Sequence, residues 1–321
     1  MEIKSKLVAC GGYLPANIVT NADLQARGLD TSDEWIQTRS GIKQRHIAID
    51  ETVADMASEA ILKMLANTGD VKVDLLIVAT ATTEKAMPSV ANLVQKMVPQ
   101  IANAVAFDMN VACSGFVFAM SVADSMIKTG KFKNAIIVGA DKMSRIVDWS
   151  DRNTAVLFGD GAGCVLLQAE SYENFDKKNK KHKGIIDFQL FTNGNLADIL
   201  YCNEKNHTVM KGNDVFRTAV LELTKLSEKM LIDSGFDKSE IDLLIPHQAN
   251  KRIITALQDK LELKDEQVIS SAVELCANTS AASIPLALSQ SFEANRVKDG
   301  NLILFLGVGA GMSWGGVFVR Y

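Results

Sequence analysis

The chain has 321 residues, 47% hydrophobic and 22% charged, with 34 Lys and Arg against 38 Asp and Glu for a net charge of -4. That length can bury a sizeable core as one large or two ordinary domains, and the balanced charge gives no reason to expect nucleic acid as a partner. Five scattered cysteines (Cys10, Cys113, Cys164, Cys202, Cys276) form no CxxC pair, so neither a zinc site nor a disulfide framework is indicated, and no metal is expected.

Met1 to Lys6 lacks the apolar core of a signal peptide, and no apolar run reaches membrane-spanning length, so the expectation is a cytoplasmic protein with no membrane partner. After an opening strand and a Gly11-Gly12-Tyr13-Leu14-Pro15 turn, Asp30-Thr31-Ser32-Asp33-Glu34-Trp35-Ile36 places capping residues before an apolar position and predicts a helix start. Thr38 to Arg45 adds a basic cluster. Val53 to Ala66 has helical periodicity, Val73 to Thr80 reads as a strand buried on both faces, and Pro88 to Gln95 opens another helix with proline in its first turn.

The run Ala104 to Met109 has strand character, and Phe116 to Thr129, apolar on nearly every face, predicts a buried helix stopped by Gly130. Between them Asn110-Val111-Ala112-Cys113-Ser114-Gly115 puts Cys113 at a strand-to-helix turn. A helix N-terminus there favours the thiolate, although a buried cysteine is as often inert. Strands follow at Ala135 to Ala140 and Cys164 to Leu167, the second introduced by Phe158-Gly159-Asp160-Gly161-Ala162-Gly163. Alternating strands and helices predict an α/β protein. Lys177 to Lys183 reads as a solvated charged loop between halves, and Ile185 to Met210 is the least legible stretch.

The second half replays the first. Asp74-Leu75-Leu76-Ile77-Val78 returns 168 residues later as Asp242-Leu243-Leu244-Ile245-Pro246. A repeat this long is a duplicated domain, with halves at 1–170 and 171–321. Strand-end counting matches Asn278 to Cys113 and Gly309-Ala310-Gly311 to Gly159–Gly163, and the halves should share one cleft. His247 follows the strand Ile241–Pro246, so Cys113, His247 and Asn278 all stand at strand ends.

These stretches, with Asn278-Thr279-Ser280-Ala281-Ala282-Ser283-Ile284-Pro285 and Pro246-His247-Gln248-Ala249-Asn250, closely resemble the β-ketoacyl-acyl-carrier-protein synthase III family over almost the whole chain. The resemblance implies a thiolase fold with five layers α-β-α-β-α, a homodimer, and decarboxylative condensation of a short acyl-CoA with malonyl-acyl-carrier protein. No cofactor is implied, since both thioesters are substrates. It implies catalytic roles for Cys113, His247 and Asn278, with an oxyanion hole from the Cys113 N–H and the loop at Ala310. Trp35 and Arg152 would sandwich the CoA adenine beside Thr31 and Arg39. Asn213 and Asn250 would line the pantetheine channel, and Phe158 would belong to the substrate site. Arg252, with Lys251 and Lys211, would meet the carrier protein, and Met87 would reach the partner's acyl pocket.

The chain departs from the family pattern at Ala277 and Ala310, where glycine is usual, at Asn153, where a smaller residue is usual, and at Met87, where many members have phenylalanine. Three rivals are a papain-like hydrolase, which also orders Cys, His, Asn but predicts a secretion signal, a secondary-metabolism condensing enzyme or acyltransferase of the same fold, and a catalytically dead binding protein, which the intact Cys113, His247 and Asn278 disfavour.

Overall fold

Apolar runs long enough to be buried on both faces organise the molecule around two main sheets, with two short two-stranded sheets beside them. The computed structural model describes residues 1–69 and 71–321. The first sheet holds β1 (Glu2–Tyr13), β2 (Leu75–Ala79), β3 (Val105–Met109), β4 (Asn134–Lys142) and β5 (Asp160–Tyr172), in the order β1-β5-β4-β2-β3. Strands β3, β2 and β4 run parallel, β5 is antiparallel to β4, and β1 is antiparallel to β5. The second sheet holds β6 (Gly184–Thr192), β7 (Leu243–Pro246), β8 (Leu302–Gly309) and β9 (Ser313–Arg320), in the order β7-β8-β9-β6 with the same alternation of directions.

Helices fill the layers between and outside. Helices α1 (Val53–Leu65) and α2 (Val90–Met97) pack on the outer face of the first sheet, against Leu76, Val78, Ile136 and Val138. Helix α3 (Gly115–Lys128) lies between the sheets, where Phe116, Val117 and Met120 meet Ile77 and Ile137 on one side and Phe305 and Val317 on the other. Helices α4 (Gly212–Ser234) and α5 (Lys251–Leu261) cover the outer face of the second sheet, and α6 (Ser283–Glu293) joins α3 in the middle. This is the five-layer αβαβα thiolase fold. A central helix flanked by sheets must be apolar over most of its surface, which is why the polar residues of this helix are confined to one stripe, Ser121, Asp124, Ser125 and Lys128.

The repeat is exact enough to correct the pairing expected from strand-end counts. The offset that takes Asp74 to Asp242 also takes Asn134 to Leu302, and the bonds repeat with it. Asp74 Oδ2 accepts the Asn134 N–H at 3.2 Å, and Asp242 Oδ2 accepts the Leu302 N–H at 2.7 Å. The same offset takes the first residue of α3, Gly115, to the first residue of α6, Ser283. Cys113 therefore corresponds to Ala281, and Asn278 to Asn110. Both elbows have the same shape: Ala112 and its counterpart Ser280 are left-handed, at φ 46° and 53°. Each is preceded by an asparagine whose Oδ1 accepts the N–H two residues on, at 3.3 Å for Asn110 and 2.8 Å for Asn278. The glycines re-pair as well. Gly309 ends β8 opposite Ser313, while Gly163 and Gly315 occupy matching places, each opposite a glycine of the neighbouring strand.

Each elbow packs on the other half's sheet. A Cβ on Gly139 of β4 would lie 2.0 Å from the Ala281 carbonyl oxygen, so only glycine lets the second elbow approach this closely. Three smaller expectations are also corrected. Pro88 stands before the cap of α2, which is Ser89, rather than in its first turn. Arg45 is not part of an exposed cluster; it is fully buried and donates to the carbonyls of Val19 and Val156 and to Asn21 Oδ1. The Lys177–Lys183 loop is only partly solvated, because Lys183 is buried and donates to Asp299 and to the Tyr321 oxygen at 2.5 and 2.6 Å. No helix among the described residues is long and apolar enough to cross a membrane.

Candidate active site

The nucleophile candidate is placed by the first elbow. Strand β3 ends at Met109, the left-handed Ala112 reverses the chain, and Cys113 lies one turn before α3. Ser114 fixes the turn by donating to the Val111 carbonyl at 2.8 Å and by a 2.7 Å contact with Ser313 of β9. The helix N-terminus alone would favour a thiolate, but burial outweighs it. Burial, reinforced by nearby Asp141 and offset in part by the Ser280 hydroxyl, pushes the thiol up to about 12, so the resting group is the protonated thiol.

His247 continues the ladder of β7, its N–H donating to the Leu306 carbonyl at 2.7 Å. Its Nδ1 lies 2.6 Å from the Ser283 hydroxyl at the start of α6. Burial alone lowers its pKa to about 4, so the ring is neutral at pH 7.

Asn278 is held by the first half. It bridges to the segment before β5, donating its N–H to Leu157 at 2.9 Å and accepting the Gly159 N–H at 3.1 Å. A Cβ on Gly159 would lie 2.5 Å from the Cys276 carbonyl oxygen, which explains the glycine after Phe158. With Oδ1 of Asn278 committed to the Ser280 N–H, the amide nitrogen is left as the group to donate into the cavity.

Cys113, His247 and Asn278 all line one cavity of about 470 Å³. Its wall also includes Phe158 and Ala310, and its outer part includes Trp35, Arg39, Asn213, Asn250 and Arg252. Arg39 and Arg152 both lie over the Trp35 ring, 5.6 and 4.9 Å from its centre, and Arg152 is further tied to Asp30. Arg252 lies over the Phe216 ring. Asn250 caps α5 through Oδ1 and donates one amide proton to the Arg39 carbonyl at 3.0 Å, so it fastens the mouth as well as lining it. Lys251 is paired with Glu274 rather than free.

Three of the expected residues do not line this cavity. Arg152 reaches it only through Trp35, Thr31 lies at the start of the Trp35 segment, and Met87 is 80% exposed. The structure adds wall residues that the sequence did not single out, among them Met143, Ile146, Tyr201, Thr208 and Met312. Tyr201 and Thr208 come from the hairpin Leu200–Cys202 and Thr208–Met210, inside the least legible stretch.

Buried Asp141 stitches the halves together beside the site. Its Oδ1 accepts the Ala81 N–H and the Thr82 hydroxyl at 2.8 Å each, and its Oδ2 accepts the Ala281 N–H at 3.0 Å. Among the described residues no group of three or more His, Cys, Asp or Glu comes together that could hold a metal ion.

Comparison with known proteins agrees with this architecture. A family model described as 3-oxoacyl-[acyl-carrier-protein] synthase III matches residues 107–194, and the model of that family's C-terminal part matches 231–321. A beta-ketoacyl-[acyl-carrier-protein] synthase III of Paramagnetospirillum magneticum is 44% identical, covering 100% of both chains. The crystal structure of 3-oxoacyl-[acyl-carrier-protein] synthase III from Aquifex aeolicus superposes with a TM-score of 0.92 at 42% identity, covering 99% of this chain and 100% of that one. The priming beta-ketosynthase from the R1128 polyketide biosynthetic pathway superposes with a TM-score of 0.91 at 30% identity, covering 99% and 96%.

Proposed function

We propose a function from one premise: the chain belongs to the 3-oxoacyl-[acyl-carrier-protein] synthase III family. It is a condensing acyltransferase that joins a short acyl group from acyl-CoA to malonyl-acyl-carrier protein, with loss of carbon dioxide, to give a 3-oxoacyl-acyl-carrier protein and begin fatty acid synthesis. The observation that carries its mechanism is that Cys113, His247 and Asn278, drawn from both halves, line one cavity.

In our reading the Cys113 sulfur attacks the acyl-CoA carbonyl. The carbon–sulfur bond to CoA breaks, and the thiol proton leaves with the CoA sulfur. This splits one hard step into two. Malonyl-carrier protein then enters and its carboxylate departs as carbon dioxide, leaving an enolate. His247 Nε2–H and the Asn278 amide donate to the enolate oxygen, donors of a kind typically worth ~2.7–4 kcal/mol each. The enolate carbon attacks the acyl-cysteine carbonyl, the carbon–sulfur bond to Cys113 breaks, and the departing thiolate takes a proton from solvent to restore the resting thiol.

The neutral state of His247 supports its role as donor, because a buried imidazolium beside this thiol would require an ion pair that its low pKa disfavours. Arg39, Arg152 and Trp35 would hold the CoA nucleotide, with Thr31 beside them, and Arg suits phosphate through its planar fork. Asn213 and Asn250 would contact the pantetheine arm. Phe158 would wall the acyl site, and Ala310 would stand in the loop that completes the oxyanion hole. Arg252 would meet the acidic carrier protein. Both substrates carry the reacting thioester themselves, so this reading uses no cofactor and takes the enzyme to work in the cytoplasm.

A homodimer is supported by β3, an edge strand whose apolar Val105 is 52% exposed and whose outer side pairs with no strand among the described residues. Met87 would then project toward the partner's acyl pocket. A secondary-metabolism condensing enzyme is the second reading, favoured by the R1128 likeness, at lower identity than the fatty acid enzymes.

Mass spectrometry of variants tests the roles. Cys113→Ala should form no acyl adduct yet still decarboxylate malonyl-carrier protein. His247→Ala and Asn278→Ala should keep the acyl-cysteine adduct and lose decarboxylation by on the order of 10²–10³. A His247→Ala protein with no adduct would overturn the assignment.

A further inference from the structure

We propose that Ser283 is a positioning residue for His247. Its hydroxyl proton, given to Nδ1, holds the imidazole in the tautomer that carries hydrogen on Nε2, the nitrogen left to face the cavity. The proposal rests on the reading of His247 as a hydrogen-bond donor to the enolate.

The hydrogen bonds around the hydroxyl decide where its proton goes. Ser283 Oγ accepts the Gln248 N–H at 3.2 Å and stands 2.6 Å from His247 Nδ1. A hydroxyl has one proton to give. Among the described residues, Nδ1 is the only acceptor within hydrogen-bond reach of it. Ser283 is 1% exposed, so water is no alternative partner. If Nδ1 carried the hydrogen instead, the serine proton would be buried without an acceptor, the arrangement that folded proteins avoid. A histidine's tautomer is set in this way by what its other nitrogen is bonded to.

The duplicated half supplies a second, independent observation. The offset of the repeat takes Ala79 to His247 and Gly115 to Ser283. In the first half these places hold Ala79 and Gly115, and a Cβ on Gly115 would lie 2.9 Å from the Ala79 Cβ. The two positions therefore touch in both halves. Where one half has two small residues without polar side chains, the other has an imidazole and a hydroxyl in contact. The serine occurs where there is a histidine to orient and is absent where there is none.

Labelling the protein with ¹⁵N-histidine reads the tautomer directly. The chain has only four histidines, and His247 is identified by the signal missing from His247→Ala. At neutral pH the His247 signals should show an acceptor-type Nδ1 and a protonated Nε2. A protonated Nδ1 in the unmodified protein overturns the proposal, and this measurement needs no Ser283 variant to fold. In Ser283→Ala the signal should move toward a tautomer mixture. Decarboxylation of malonyl-carrier protein should fall by about tenfold or more while the rate of Cys113 acylation from acyl-CoA stays within about twofold. Equal losses in both half-reactions, or no loss in either, overturn it. If the unmodified protein shows a protonated Nε2 yet does not decarboxylate malonyl-carrier protein at all, the donor reading fails and the tautomer assignment stands.

Discussion

At Cys113 burial and helix polarity oppose each other, and burial wins. The thiol pushed up to about 12 loses its proton only as pH rises, so acyl transfer from CoA should climb with pH, by about tenfold per unit between pH 7 and 10. Single-turnover acylation without the malonyl substrate measures this. A plateau already reached below pH 8 would mean a thiolate at rest. His247 sets the opposite expectation for the other half-reaction. With its pKa lowered to about 4, it stays neutral from pH 5 upward, so decarboxylation in Cys113→Ala should be flat where acylation is steep. Ala277 carries a different tension. It has φ 57° and ψ -160°, a conformation suited to glycine, directly before Asn278. Ala277→Gly should remove about 1–3 kcal/mol of strain and give back about 0.5–1 kcal/mol in chain entropy, for a net gain near 1 kcal/mol in urea unfolding. A variant less stable than the parent would rule this out.

The elements show what the sequence made legible. Leu75–Ala79 announces burial on both faces and Phe116–Ile127 burial over most of its surface, and the structure has β2 and α3 there. Cys113 and His247 were legible because each stands just past an apolar strand run, whereas Asn278 follows the short helix Ser271–Cys276 and was legible through the Asn278–Pro285 stretch itself. The elbow equivalence was not, because the left-handed residues that mark it are Ala112 and Ser280 rather than glycine. The second half also offers no strand matching β3, where Ser271–Cys276 is helical and only the bridge Leu244–Val268 continues the sheet. Arg45 misled because its charge reads as surface, while its acceptors come from segments 24 to 111 residues away. The short hairpin at 200–210 has too few residues for a period to emerge. Gly159 tests how one element positions another. Gly159→Ala should force the Cys276 carbonyl away and cost about 1–3 kcal/mol. Decarboxylation should fall more than Cys113 acylation, since Asn278 moves and the first elbow does not. Equal effects would separate Gly159 from the placement of Asn278.

At the scale of the molecule, the exposed edge of β3 is a liability unless something covers it. Val105→Lys puts a charge on that edge without touching the buried core, so the isolated chain should fold unchanged while a dimer dissociates. Sedimentation at micromolar concentration separates the two, and an unaltered dimer would place the interface elsewhere. The correspondence of the two elbows reaches further than packing. Two identical half-length chains assembled about a twofold axis would have to carry the same residue at both elbows, a thiol facing a thiol or an alanine facing an alanine. Joining the halves in one chain lifts that restriction. One elbow is then free to hold Cys113 while its twin becomes Ala281, and the strand end that is Ala79 in one copy is free to become His247 in the other. The same freedom lets Gly309 leave space beside the Cys113 N–H, while its counterpart Asp141 fills the matching place beside Ala281 with a carboxylate. Continuity of the chain is what permits a near-symmetrical scaffold to have a front and a back, with Cys113 supplied by one half and His247 and Asn278 by the other.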